Sequence, residues 1–144
     1  MVDFEIKTIQ NEDGLDAVLE LCRRVLGENV CDNSPYTREE WLERVSSIPD
    51  LLVYAEADGA VVAAILGRSE SAESLVLGFA ACDERYRWQG ITRALVERFE
   101  EKARVRGYKY ITLGARSEAE VFYEKCGYKC ITEMHGQKIY QKIL

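Results

Sequence analysis

The sequence lacks the features that mark membrane and secreted proteins. No stretch of its 144 residues approaches the roughly 18 consecutive apolar residues that a membrane-spanning helix needs, and the N-terminal residues have no signal-peptide core. There are only two prolines, no internal repeat and no low-complexity segment. These absences predict an ordinary globular protein in the cytoplasm without a membrane partner.

Histidine and positive charge are also scarce. His135 is the one histidine, and the five cysteines are odd in number, so free thiols are predicted rather than disulfides and no metal site is expected. The formal net charge is -6, the isoelectric point is near 5.0, and no basic run is present. This charge argues against a nucleic-acid partner.

The remaining composition is that of one folded domain. Hydrophobic residues make up 47% of the chain and charged residues 31%. A chain of this length buries about two-thirds of its unfolded surface and rarely forms two cores. We therefore expect a single domain over residues 1–144.

Periodicity in the N-terminal third predicts one strand and two helices. Polar and apolar residues alternate around Ile6, which is typical of a strand with one buried face. Helical spacing follows, from a cap at Asn11 or Asp13 to Gly27. After an irregular loop, Thr37 begins a second helix through a capping box, and Pro49 ends it.

The central part of the chain predicts a three-stranded meander and a crossover. Segments 51–57 and 60–67 flank Asp58-Gly59, a strong hairpin signal, and segment 75–82 forms the third strand. A helix from Ile91 to Gly107 then leads to a strand over 108–113. A right-handed crossover makes this strand parallel to 75–82.

The C-terminal part predicts a short helix and a last hairpin. Ser117 is the expected cap of that helix and Gly127 its end, and strands 128–134 and 138–143 pair around His135-Gly136. The predicted fold is α/β (α+β): a mixed, mostly antiparallel sheet of about seven strands with four helices and one central parallel pair. An edge strand over 138–144 would allow a homodimer.

One short stretch, Arg87-Trp88-Gln89-Gly90-Ile91-Thr92, stands between the third strand and the most regular helical pattern. A strand that leads through a glycine turn into a helix start presents unpaired N–H groups and the positive end of the helix dipole. Arg85 and Arg93 add positive charge to an acidic chain. The stretch predicts an anion site, although an ordinary connection with solvated arginines has the same pattern.

This stretch resembles the pyrophosphate loop of GNAT-type N-acetyltransferases, in which Arg or Gln is followed by two residues, Gly, one residue, and Gly or Ala. Thr92 stands at the usual small residue. The resemblance implies binding of acetyl-CoA, the acyl donor, by residues of the loop and the helix start. These are Arg87, Trp88, Gln89, Gly90, Ile91, Thr92 and Arg93.

A second segment, 116–128, resembles the other GNAT signature, with Ala119, Tyr123 and a Gly-aromatic pair in register. Arg116 occupies the usual Asn position. An arginine there can bind a cofactor phosphate, bind an acidic acceptor, or remain solvated. The two motifs lie in the order that the family has, over residues 75–128.

The resemblance implies direct attack of an amine on the thioester. Backbone N–H groups near Ala80, Ala81 and Cys82 would stabilise the oxyanion, and Tyr123 would protonate the leaving thiol. A core tyrosine with a satisfied hydroxyl is the alternative for Tyr123. The general base is open: Glu73 is one choice and a chain of waters another. Cys82 has no histidine partner and is interpreted as structural.

The predicted function is N-acetyl transfer from acetyl-CoA to a primary amine of a small molecule or protein. A catalytically silent acyl-CoA-binding sensor or interaction module is the alternative, since an evident base is missing. A generic nucleotide-binding domain fits less well because no repeated strand-helix units surround the glycine turn. The net charge weakly favours a cationic amine. The resemblance also implies that Tyr36 and Trp41 shape substrate choice, while core packing is the simpler role for Trp41.

Overall fold

The computed structural model describes residues 2–144. Its seven strands are β1 Glu5–Thr8, β2 Leu52–Ala57, β3 Ala60–Ser69, β4 Ser74–Cys82, β5 Tyr110–Ala115, β6 Lys129–Met134 and β7 Gln137–Ile143. Its four α-helices are α1 Glu12–Leu26, α2 Arg38–Ser47, α3 Ile91–Val105 and α4 Glu120–Lys125. No helix of residues 2–144 has the length and apolar character required to cross a bilayer.

All seven strands form one sheet in the order β1-β2-β3-β4-β5-β7-β6. Every neighbouring pair is antiparallel except β4 and β5, which run parallel through the crossover that α3 makes. The predicted mixed sheet with a central parallel pair is therefore confirmed. The Asp58-Gly59 hairpin is also present, because both turn residues adopt the positive φ that a tight hairpin needs.

The helices cover both faces of the sheet. The apolar face of α1, including Leu15 and Leu19, packs with Trp41 of α2 on one face. Leu95 and Phe99 of α3 pack on the opposite face. Two separate apolar clusters therefore lie on the two faces of the sheet, and together they bury the apolar side chains of both faces.

The parallel pair separates after only three residues. The last paired positions are Val76 and Thr112, although β4 continues to Cys82. On its other side β4 pairs with β3, and this ladder contains a bulge. Leu66 and Gly67 of β3 are consecutive, but they pair with Phe79 and Leu77 of β4, so Gly78 is the extra residue. A bulge increases local twist. The result is an open split between β4 and β5 in the middle of the sheet.

Two expectations about the C-terminal part are wrong. Ser117 does not cap α4: it begins a short 3-10 turn, and its hydroxyl donates to Glu118 instead. Strand β7 is not an edge, because β5 and β6 pair with its two sides and leave β6 outermost. The Ser117 hydroxyl is taken up by the adjacent Glu118, whereas strand order depends on long-range pairing that the linear pattern does not contain.

Candidate active site

The glycine turn places an uncapped helix start beside the end of β4. Gly90 precedes α3 with φ of 79° and ψ of 5°, a left-handed conformation that favours glycine. No side chain accepts a hydrogen bond from the first turn of α3. The N–H groups of Ile91, Thr92 and Arg93 therefore remain available to an anion, as the sequence predicts for a helix start.

The basic side chains around this turn differ in whether a carboxylate already binds them. Arg87 is exposed and makes no hydrogen bond or ion pair with residues 2–144. Arg93 forms a long ion pair with Glu97 in the next turn of α3, at 3.4 Å. Arg85 is bound to Asp83 at 3.2 Å, so its charge is partly neutralised. Arg87 is the arginine best placed to meet an incoming anion.

Asp83 binds two arginine side chains at the start of this loop. It is 7% exposed and accepts hydrogen bonds from Arg85 and from Arg24 of α1. Arg85 in particular lowers the pKa of the Asp83 carboxyl to about 2. Arg24, Asp83, Arg85 and Arg87 line a cavity of about 480 Å³ next to the turn. The cavity extends the positively charged surface from the turn to α1.

The other loop side chains have separate environments. Trp88 has φ of 66° and is 99% exposed, so its ring projects fully into solvent. The side-chain oxygen of Gln89 accepts a hydrogen bond from the backbone N–H of Val2 at 3.1 Å, which ties the N-terminal segment to the loop. The hydroxyl of Thr92 lies within hydrogen-bonding range of the Cys82 thiol.

The split between β4 and β5 is a cleft of about 230 Å³. Leu77 to Ala80 of β4 form one wall, and Leu113 and Gly114 of β5 form the other. Leu26, the last residue of α1, and Val30 of the following loop close it. The described residues lining the cleft include one charged side chain, Arg116. The cleft is thus lined mainly by apolar residues, with Arg116, Tyr123 and Gln137 as its polar side chains.

Tyr123 of α4 is at the wall of this cleft. It is 6% exposed, and its ring meets that of Phe122 edge-on at 5.1 Å between centroids. Its hydroxyl makes no hydrogen bond with residues 2–144 although it borders the cleft. Burial raises the pKa of the Tyr123 phenol to about 12. The side chain is therefore a protonated donor without an acceptor.

Of the three predicted residues at the end of β4, one side chain lines the split. Ala80 lines the cleft, whereas Ala81 is buried on the α1 face. Cys82 follows, and burial raises the pKa of its thiol. Beyond Val76 these residues have no strand partner on the β5 side, so backbone groups directed there are free. A protonated thiol agrees with a structural role for Cys82.

Arg116 reaches across the mouth of the cleft. Its guanidinium donates a hydrogen bond to the backbone carbonyl of Leu26 at the end of α1, at 3.0 Å. It therefore connects β5 to the loop above the split rather than extending freely into solvent. A cation near the last carbonyl of a helix also stabilises the negative end of the helix dipole.

Glu73 is not at the cleft. It precedes β4, and its carboxylate pairs with Lys109 at 3.1 Å. The split begins after Val76 and extends toward Cys82, so Glu73 lies at the opposite end of the strand. As strands rise about 3.3 Å per residue, Glu73 is about 20 Å from the position of Phe79. It cannot act as the base there.

The sequence did not reveal two further lining residues. Gln137 of β7 approaches Gly114 so closely that an added Cβ would lie 2.5 Å from its side-chain oxygen. Val30 lies in the irregular loop after α1. Neither position has a motif that could have identified it. Within residues 2–144, no group of three or more His, Cys, Asp or Glu side chains could hold a metal ion.

Comparisons with known proteins agree with this geometry. The model of the acetyltransferase (GNAT) domain family matches residues 24–139, and no curated protein matches the chain. The PaiA N-acetyltransferase from Thermoplasma acidophilum, solved with coenzyme A, is 21% identical with a TM-score of 0.79 and 99% coverage of both chains.

Two other solved structures share the fold. An aminoglycoside 6'-N-acetyltransferase complexed with coenzyme A is 19% identical, with a TM-score of 0.78 and 96% of each chain covered. N-acetylglutamate synthase from Neisseria gonorrhoeae, complexed with coenzyme A and N-acetyl-glutamate, is 16% identical with a TM-score of 0.78. That match covers all of this chain and 36% of the synthase. The family match spans most of the sequence, and the chain belongs to the GNAT acetyltransferase domain family.

Proposed function

We propose that this protein transfers an acetyl group from acetyl-CoA to a primary amine of a small molecule or protein by direct attack. The observation that carries the proposal is the split between β4 and β5. It opens beside the uncapped start of α3 and has the unpaired Tyr123 hydroxyl at its wall. Neighbouring structures that contain coenzyme A support acetyl-CoA as the donor.

The residues present suit such a donor. The N–H groups of Ile91, Thr92 and Arg93, together with Arg87, would hold its diphosphate. Free backbone groups of 77–82 would pair with the amides of its extended arm, as an added strand does. Trp88, Gln89 and Gly90 shape the turn. Acetyl-CoA supplies an activated thioester, and the protein supplies its orientation.

In this proposal Tyr123 is the proton donor. A phenol with a pKa of about 12 stays protonated throughout the neutral range, and its hydroxyl has no competing acceptor. A thiolate generated in the cleft would provide that acceptor. Free N–H groups near Ala80 and Cys82 would stabilise negative charge that develops on the carbonyl oxygen.

No carboxylate lines the cleft among residues 2–144 to serve as a base. We expect the enzyme to capture the neutral fraction of the amine, with water taking the proton after attack. Activity should then rise with pH until the acceptor amine is mostly neutral. If activity instead reached a plateau at a pH well below the pKa of the amine, a base on the protein would be indicated.

The decisive test compares Tyr123→Phe with Tyr54→Phe in acetyl-CoA turnover over a panel of amines. Tyr54 is half-buried on β2 and its hydroxyl makes no hydrogen bond among the described residues, so it is a matched control. We expect kcat to fall about a hundredfold or more in Tyr123→Phe and to remain unchanged in Tyr54→Phe. Full activity of Tyr123→Phe would remove Tyr123 from this role.

Calorimetry with acetyl-CoA separates the enzyme from a silent binding module. Binding of acetyl-CoA with no acetylated product from any amine would favour the module. Failure of the wild-type protein to bind acetyl-CoA would contradict both functions.

A further inference from the structure

An aromatic stack lies over β4 at the point where the strands separate. The rings of Tyr36 and Trp41 are stacked at 5.5 Å, and both contact Phe79 with 5.0 Å between centroids. A Cβ on Gly78 would lie 2.9 Å from the Tyr36 ring. The Tyr36 ring thus occupies the space that Gly78 leaves, directly beside the cleft.

Arg68 of β3 adjoins this stack without a hydrogen-bond partner. Its guanidinium lies 5.6 Å from the centroid of the Tyr36 ring. The nearest carboxylate, on Glu70, is 3.9 Å away, which is too long for a hydrogen bond. The Nε atom is buried and unpaired, whereas the side chain as a whole is 25% exposed. Arg68 therefore carries a charge that solvent ligands can reach, and its one carboxylate neighbour is a long, exposed ion-pair partner rather than a hydrogen-bond acceptor.

Arg44 of α2 adds a second positive charge on the same surface. It lies over the Trp41 ring at 4.5 Å and donates one hydrogen bond, to the carbonyl of Pro35 at 2.8 Å. Its Nη1 atom is buried without a partner. The Glu40 carboxylate nearby is already bound to Ser34 and Thr37. The only ion pair that the two arginines make among residues 2–144 is the long contact of Arg68 with Glu70.

The position of Arg68 relates this charge to the cleft. Arg68 pairs across β3 and β4 with Val76, the last residue of β4 that pairs with β5. The guanidinium is separated from the start of the split by Val76, Gly78 and the Tyr36 ring. Gly78 lines the cleft and faces the Tyr36 ring, and Arg68 lies against that same ring, so the charge adjoins the cleft wall.

We infer that Arg68, reinforced by the charge of Arg44, binds a carboxylate of the acceptor, so that the acceptor is an amino acid or another small amine bearing a carboxylate. The inference rests on the proposed function. A guanidinium presents a planar fork of N–H donors that matches the two oxygens of a carboxylate. The acidic net charge of the protein would instead favour a cationic amine, but the local charge decides what binds at the site.

A purely structural role explains the arrangement less well. Buried N–H donors without acceptors cost stability, and two neighbouring cations repel each other. A bound carboxylate would accept hydrogen bonds from the exposed part of the Arg68 guanidinium and offset the repulsion. Positive charge near the acceptor also favours its neutral, nucleophilic amine, which suits a cleft without a carboxylate base.

The test compares kcat/KM for an amino acid and for its amide, which differ only in the carboxylate. Acetyl-CoA is kept at a saturating concentration. We expect the wild type to prefer the acid. Arg68→Gln should reduce the acid-to-amide ratio by about tenfold to a hundredfold, mainly through KM of the acid. Arg104→Gln, which removes an exposed arginine of α3, is the control and should leave the ratio unchanged.

Thermal unfolding of Arg68→Gln distinguishes this role from a structural one. Removal of an arginine that has no hydrogen-bond partner should leave Tm unchanged or raise it, whereas loss of a structural contact would lower Tm. If Arg68→Gln fails to fold, Arg68→Lys replaces it, and the ratio should still fall because the ammonium lacks the planar fork.

Binding of an N-acetylated amino acid to the CoA-loaded protein gives a readout that needs no turnover. Calorimetry should detect it with the wild type and lose it with the Arg68 variant. Equal or better use of amides, or a stronger preference for an amine bearing a phosphate, would overturn the inference and leave acetyl transfer intact. Absence of turnover for every amine would contradict the proposed function. Calorimetry would still show whether Arg68 binds the carboxylate of an N-acetylated amino acid.

Discussion

The ring of Tyr128 meets the ring of Tyr123 edge-on, with 5.7 Å between the centroids. Tyr128 is itself held in place, because its hydroxyl donates to the buried Glu100 carboxylate at 2.9 Å. Lys142 binds the same carboxylate at 3.0 Å. The proposed proton donor thus rests on a buried network that connects α3, α4 and β7.

The raised pKa of Tyr123 predicts how activity and stability change at high pH. A phenol in the unfolded chain titrates near pH 10, while the folded phenol titrates near 12. Its contribution to stability is present below pH 10 and is lost as pH rises toward 12. We expect unfolding measurements to show a steeper fall over this range in the wild type than in Tyr123→Phe. A kcat profile that declines near pH 8 would contradict a Tyr123 donor.

Removal of Lys142 should destabilise the protein strongly. Lys142→Met would leave the Glu100 carboxylate, which is 5% exposed, without its cation, at a cost of about 3 kcal/mol in the free energy of unfolding. Lys138→Met, on the same strand, breaks an exposed pair with Glu120 and should cost much less, because solvent screens that pair. Urea unfolding measures both. Equal costs would show that the buried pair contributes no more than a surface pair.

Gly90 and Gly59 provide a matched pair of substitutions. Both have positive φ, 79° and 75°, and an added Cβ would meet nothing within 4 Å at either position. Each Gly→Ala change should therefore cost about 1 kcal/mol through backbone strain alone. Only Gly90→Ala should weaken acetyl-CoA binding, because only Gly90 orients the start of α3.

The exposed Trp88 gives a direct signal for that experiment. Trp88 is 99% exposed, whereas Trp41 is fully buried, so a change in fluorescence on addition of acetyl-CoA reports mainly on the loop. We expect the titration to shift to higher ligand concentration in Gly90→Ala and to be unchanged in Gly59→Ala. Similar titrations for both variants would argue against an anion site at Gly90.

Asp83 predicts an acid-dependent stability. Because Arg85 and Arg24 lower the pKa of its carboxyl to about 2, from about 3.9 when unfolded, the stabilisation is present above pH 4 and is lost as pH falls through 2. Both arginines are more than half exposed, so Asp83→Asn should cost only about 1 kcal/mol at pH 7. The difference from the wild type should vanish near pH 2. A constant difference across this range would exclude the ion pairs as its cause.

Local signals predicted most of the fold. Thr37 and Glu40 form the expected capping box, and the Asp58-Gly59 pair forms the expected hairpin turn. Gly90 lies at the start of α3, as the glycine turn indicated. These features depend on residues a few positions apart, and each can be read from the chain.

Apart from the Ser117 cap, the features that the sequence did not predict depend on long-range contacts. The position of Glu73 before β4 makes it a candidate base, but only the strand pairing shows that it lies at the far end. Arg116 contacts Leu26, which is 90 positions earlier. Arg68 and Tyr36 meet across the sheet although neither belongs to a motif.

Spacing and turn chemistry along this chain were sufficient to specify the elements, the glycine turn and the positions of the two family motifs. Packing of α1, α2 and the sheet decided which charges are neutralised and which remain open. Asp83 neutralises Arg85 at hydrogen-bonding distance, while Arg68 has only a long ion pair with the exposed Glu70, at 3.9 Å. Local conformational preferences act between near neighbours, whereas the environment of a charge is the sum of groups brought together from the whole chain.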